Sequence, residues 1–173
     1  MEMLSIQLAA FQALLLAASA VHKFAARERS RAAAHDFAGV PRRVAPMAVG
    51  IIALAELATA VLLWIPAWRA AGAMLAALIW GGYLSLILRA IAQGRRDVDC
   101  GCSFGASSRR LGAYHLARNA LLLGVALDIG ALSANGGGPV LAAQAFAAVA
   151  LLALYGALDQ VMVLRPLRFG ESS

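Results

Sequence analysis

Cys100 and Cys102 are the chain's two cysteines, and a single glycine, Gly101, separates them. A Cys-x-Cys pair can close a disulfide, stand as a dithiol, or offer two soft thiolates to a metal. Closure across one spacer residue makes a small, restricted ring, and disulfides away from preferred geometry are easier to reduce. Gly101 eases closure because it carries no Cβ. Arg95, Arg96, Arg109 and Arg110 flank the pair and favour the thiolate, whereas Asp97 and Asp99 oppose it. Phe104 and Gly105 follow, where the chain is expected to turn. Three readings stand side by side: a redox couple, a soft-metal site that would need ligands beyond two thiolates, and two incidental cysteines in a loop.

The elements that must position this pair are apolar. Hydrophobic residues make up 62% of the 173-residue chain and charged residues 14%, against about 25% charged in soluble domains. Such a chain would expose apolar surface in water, so it is expected to be an all-α, polytopic transmembrane helix bundle. Four to five spans fit the length, and five fit best, as a single integral membrane domain over residues 1–173. The predicted spans lie at about 3–22, 44–65, 69–91, 111–132 and 140–164, with the cysteine loop at about 93–110. The first segment has only Glu2 charged before His22, so it is expected to be a retained helix and not a cleaved leader. The connector from Phe24 to Arg43 is spaced for a short amphipathic helix at the interface. Trp64 and Trp68 around Pro66 suit an interfacial anchor. Gly72, Gly81 and Gly82 are expected to admit close helix contact.

Of the 15 lysines and arginines, all but Arg69 and Arg118 fall on the face shared by the connector, the cysteine loop and the C-terminal tail. The positive-inside rule then puts the cysteine loop in the cytoplasm and the N-terminus outside. The net charge of +6 is thereby assigned to orientation and to anionic lipid; the expected partner is the bilayer, not nucleic acid.

Ionisable groups within spans are costly and normally paired or functional. At about 1.5 Å of rise per residue, Arg118 and Asp159 lie at equal depth below the cysteine face, which suits an ion pair. Glu56 lies deeper, with Tyr83 between, and His115 stands one turn above Arg118. These groups either fix helix packing or form a polar pocket and proton path beneath the cysteines. In the second reading His115 is the relay, because imidazole exchanges protons near neutrality. Glu56 is read as a helix-packing hydrogen bonder or as a protonated buried acid.

Taken together, several features resemble the MauE branch of the MauE/DoxX membrane proteins. They are Val21-His22-Lys23-Phe24, the Pro41 connector, Ala55-Glu56-Leu57, Arg95-Arg96, Asp99-Cys100-Gly101-Cys102-Ser103-Phe104-Gly105 and Arg118-Asn119. The cysteine signature followed by Arg-Asn in the next span is the specific part; Ser103 departs from the family's pattern. The resemblance implies a redox-associated protein of the bacterial inner membrane, linked to methylamine utilisation, with Cys100 and Cys102 as its redox pair. It also implies a thioredoxin-like, MauD-like partner and, as client, the disulfide-rich small subunit of a periplasmic methylamine dehydrogenase. A thiol–disulfide oxidoreductase is thus the leading reading. A non-enzymatic assembly factor and a soft-metal carrier remain open. A quinone is an optional second partner for which no motif is visible; no other cofactor and no metal site is assigned.

Overall fold

Apolar runs in lipid have no water to satisfy their backbone, so they close their hydrogen bonds internally as helices. The structure, a computed structural model, describes residues 2–95, 112–133 and 138–164. The cysteine loop from residue 96, most of the glycine-rich turn before the last span, and the C-terminal tail lie outside the described residues.

The described elements are α1 (Glu2–Ala25), α2 (Arg27–Asp36), α3 (Ala45–Trp64), a 3₁₀ turn (Pro66–Trp68), α4 (Arg69–Ala92), α5 (Ala113–Ser133) and α6 (Ala142–Leu164). Five stretches are long and apolar enough to cross a membrane: Met3–Ala25, Ala45–Trp64, Pro66–Ala92, Ala113–Ser133 and Ala142–Val161. Each overlaps one of the expected stretches, with ends shifted by a few residues; α1 continues past His22 to Ala25 and so takes Lys23 into the helix. The connector contains the expected short helix, α2, whose Ser30 and Ala33 are buried.

Local chemistry sets the ends. Gly39 takes φ +74° beyond α2, a conformation that suits a residue without a Cβ. Pro46 stands in the first turn of α3, where its missing N–H costs nothing. At the end of α4, Gly94 takes φ +71°. Its N–H donates to the Ile91 carbonyl and that of Arg95 to the Ala90 carbonyl, both at 3.0 Å, the two bonds of a Schellman stop.

α1 packs along α3, α5 and α6, and α4 packs along α5 and α3. The core is built from small side chains (Ala9, Ala13, Ala73, Ala76 and Ala126) interleaved with Leu16, Leu63, Trp80 and Ile129. Lipid is as apolar as leucine, so helices here associate through close packing and internal polar contacts. The periphery is apolar too, with Leu78 70% and Phe146 76% exposed, as a lipid-facing surface requires. One buried chain of polar groups crosses the core. Trp80 Nε1 donates to Gln12 Oε1 at 2.7 Å, and Gln12 Nε2 donates to the Leu122 carbonyl at 2.8 Å, joining α1, α4 and α5.

Arg69, counted from sequence as the lone cation of the opposite loop face, is buried. Its Nε donates to the Leu63 carbonyl at 3.2 Å and its Nη2 to the Gly138 carbonyl at 3.0 Å. It closes the end of α3 and ties the α3–α4 hairpin to the segment entering α6.

The glycines divide. A Cβ on Gly72 would stand 2.7 Å from the Leu63 nitrogen and 3.0 Å from the Leu62 carbonyl carbon. At Gly81 and Gly82 nothing lies within 4 Å of that position. The expected close approach is therefore confined to Gly72, near the hairpin; farther along α4 the neighbouring helix has drawn away. Gly72→Ala is expected to cost roughly 1–3 kcal/mol through backbone displacement. Gly81→Ala should be nearly neutral. Unfolding of the purified variants in detergent measures both, and equal stabilities would count against the pinch at Gly72.

Candidate functional site

Helix α1 supplies the first polar cluster. Ser19 and Lys23 stand four residues apart, so they share one helix face, and that face meets Glu56 of α3 and Tyr83 of α4. Glu56 is fully buried. Its Oε1 accepts from Lys23 Nζ at 2.8 Å, Tyr83 Oη at 2.6 Å and Ser19 Oγ at 3.1 Å. Its Oε2 accepts from Lys23 Nζ at 2.9 Å. Lys23 also donates to Ser19 Oγ at 2.7 Å, and its ammonium lies 5.6 Å from the Tyr83 ring centroid. The four side chains thus form a closed network of one anion, one cation and two hydroxyls. A charge stripped of water needs both a counter-charge and hydrogen bonds to be tolerated, and Glu56 has both.

The second cluster joins α5 to α6. Arg118 Nη1 lies 3.0 Å from Asp159 Oδ1, with both side chains buried. Tyr114 Oη donates to the same oxygen at 3.3 Å. The guanidinium lies 6.0 Å from the ring centroids of both Tyr114 and Tyr155, within cation–π range. His115 is buried and meets the Tyr114 ring edge-on at 5.6 Å. Asn119 Nδ2 donates to the His115 carbonyl at 2.9 Å. Asp159 Oδ2 and Asn119 Oδ1 are buried and accept no hydrogen bond from the described residues. The cluster therefore holds open acceptors, one on Asn119 of α5 and one on Asp159 of α6.

The polar residues inferred from sequence thus fall on two sets of helices. Glu56 and Tyr83 belong to α1, α3 and α4, whereas Arg118 and Asp159 bridge α5 and α6 with His115 beside them. Cys100 and Cys102, with Asp99, Gly101, Phe104 and Gly105, lie outside the described residues. Sequence reasoning missed Lys23, Ser19, Tyr114 and Tyr155. The four-residue spacing of Ser19 and Lys23 was the available signal, as was the need of Glu56 for a cation. Among the described residues no group of three metal-ligating side chains assembles.

A family model described as Methylamine utilisation protein MauE matches residues 1–134, a stretch that takes in α1 to α5. A Methylamine utilization protein MauE from Methylophilus methylotrophus is 31% identical over 124 residues, covering 70% of this chain and 65% of that protein. The chain thus matches just under two thirds of that relative's length. A protein of the same name from Paracoccus versutus is 32% identical over 151 residues, covering 86% of this chain and 81% of its own. No solved structure matches the chain.

Lys23→Met alone would leave the Glu56 carboxylate buried without its cation, and removing one partner of a buried pair costs about 3–5 kcal/mol. The double variant Lys23→Met/Glu56→Gln is expected to regain most of that loss. Unfolding free energies of the single and double variants close the cycle. Additive effects would show that the two groups do not depend on each other.

Proposed function

The chain belongs to the MauE family, and from that premise we propose that it is a thiol–disulfide exchange protein of the bacterial inner membrane serving methylamine utilisation. The observation that carries this reading is the isolated Cys100-Gly101-Cys102 pair in the segment that joins α4 to α5. One thiolate attacks a disulfide of a thioredoxin-like, MauD-like partner to give a mixed disulfide. The second thiolate attacks that bond, closing the Cys100–Cys102 disulfide and leaving the partner as a dithiol. Two electrons and two protons pass from one pair to the other, and the reverse exchange runs by the same steps. The end client is a disulfide-bearing periplasmic subunit of an amine dehydrogenase.

His115 is the candidate to take and return the thiol protons. It stands in the first turn of α5, directly after the cysteine segment; its carbonyl accepts from Asn119, and the neighbouring Tyr114 reaches Asp159. The Arg118–Asp159 pair then links α5 to α6 through its side chains and keeps that end of the bundle polar. The distribution of lysine and arginine supports a cytoplasmic position for the cysteine segment. The two thiols then serve a periplasmic client through a partner that relays electrons across the bilayer.

Cys100→Ser and Cys102→Ser should each abolish client maturation while the protein remains in the membrane at normal abundance. Undiminished maturation with both replaced would sink the redox reading and favour an assembly factor that acts through its helices. Labelling intact cells with a membrane-impermeant thiol reagent, with and without reductant, reads the side of the membrane and the resting redox state together. Reaction from the periplasmic side would overturn the assigned orientation.

A further inference from the structure

Where α3 and α4 separate beyond the Gly72 pinch, they bound an apolar groove of about 750 Å³ roofed by α2. Ala48, Ile52 and Ala55 wall it on one side and Leu78, Gly82 and Leu86 on the other. Phe37, which follows α2 and is seated against Ile87 and Ala90 of α4, lines the end of the groove near Arg89. Arg89 lies at that end, exposed and in the last turn of α4. Among the described residues it forms no ion pair, unlike Lys23 and Arg118.

The polar groups inside the groove are already committed. The three ammonium hydrogens of Lys23 go to Ser19 and Glu56, and the Tyr83 hydroxyl goes to Glu56. Thr59 donates to the Ala55 carbonyl and Ser85 to the Gly81 carbonyl. The side-chain donors left along the walls are the Arg89 guanidinium and the Ser30 hydroxyl, the latter on α2. A ligand here meets hydrocarbon along the groove and one cation with a hydroxyl donor at its α2 end. A carbonyl headgroup buried deep in the groove would find no donor.

We propose that this groove is a binding site for an anionic phospholipid, with one acyl chain lying between α3 and α4 and the phosphate on Arg89. Length agrees with charge. From Leu75 to Arg89 the groove follows α4 for about 21 Å at the helical rise. One leaflet contributes about 15 Å of hydrocarbon to a core of about 30 Å. The groove therefore holds one chain with its headgroup linkage, whereas a partner transmembrane helix would need a seam through the whole core. Basic pockets between helices are known sites for anionic headgroups. Gly82 also acquires a role here: its missing side chain keeps the groove open.

The test uses the full-length protein in nanodiscs with equal phosphatidylglycerol and phosphatidylcholine. Lipids that survive stepwise removal are read by native mass spectrometry. The wild type should keep phosphatidylglycerol in preference to phosphatidylcholine by about five-fold, the equivalent of ~1 kcal/mol for one arginine at an anionic surface. Arg89→Gln, a change at an exposed position, should bring that preference near unity. Gly82→Leu has room for its Cβ and should lose the retained lipid of either kind, whereas Gly81→Leu, outside the groove, should keep it. An unselective wild type, an unchanged preference in Arg89→Gln, or full retention in Gly82→Leu would each overturn the proposal. Recovery of a quinone in place of the phospholipid from the organic extract would overturn it as well.

Discussion

A carboxylate with no exposure in the middle of an apolar bundle must be matched, and much of this architecture follows from matching Glu56. Its counter-charge comes from α1, one hydroxyl from α1 and another from α4. Three helices are thereby held in one register by a single side chain. Displacing any of them by one turn would strand a charge in hydrocarbon, a penalty larger than any packing gain at one position. The Arg118–Asp159 pair repeats the device at the other side of the bundle and attaches α6, which otherwise packs on α1.

Around these polar pins the helices meet through small side chains. Alanines of α1, α3, α4 and α5 fill the core, and the closest backbone approach lies at Gly72 against Leu62 and Leu63. A hairpin pinched there and held apart farther on is a wedge. The short helix α2 lies across its wide end, fastened by Phe37 and by the bond from Arg95 Nη1 to the Asp36 carbonyl at 2.7 Å. The hairpin is thus tight at its Gly72 end and open at the other, and Arg89 stands at the open end.

Much of this was readable from residues alone. Span positions follow from apolar run length, and the Arg118–Asp159 contact follows from equal depth at a fixed rise per residue. Lys23 was harder to place, because a lysine at a span end can turn outward on its flexible stem; the buried carboxylate of Glu56 draws it inward instead. The glycines show a second limit. Sequence spacing marks them as small, but only the helix crossing decides that Gly72 meets a backbone while Gly82 faces open space. Arg69 shows a third: as a loop cation it looked like a marker of sidedness, yet it spends its hydrogen bonds on two backbone carbonyls. For Cys100 and Cys102 the sequence offers residue types and spacing as an expectation, and both lie outside the described residues.

The central position of α1 has a consequence for biogenesis. This helix emerges from the ribosome ahead of α3, α4 and α5, yet its polar groups depend on partners on those helices. Lys23 waits 33 residues for Glu56, and Gln12 waits 68 residues for Trp80 and 110 for the Leu122 carbonyl. Until then the Lys23 ammonium has only the Ser19 hydroxyl of its own helix, and the Gln12 carboxamide lacks both of these bonds. It must be retained near the insertion machinery, or keep its end at the headgroups, until α3, α4 and α5 arrive. Assembly is therefore ordered by polar contacts: Gln12 of α1 is matched only when α5 arrives, and Arg118 of α5 only when α6 does.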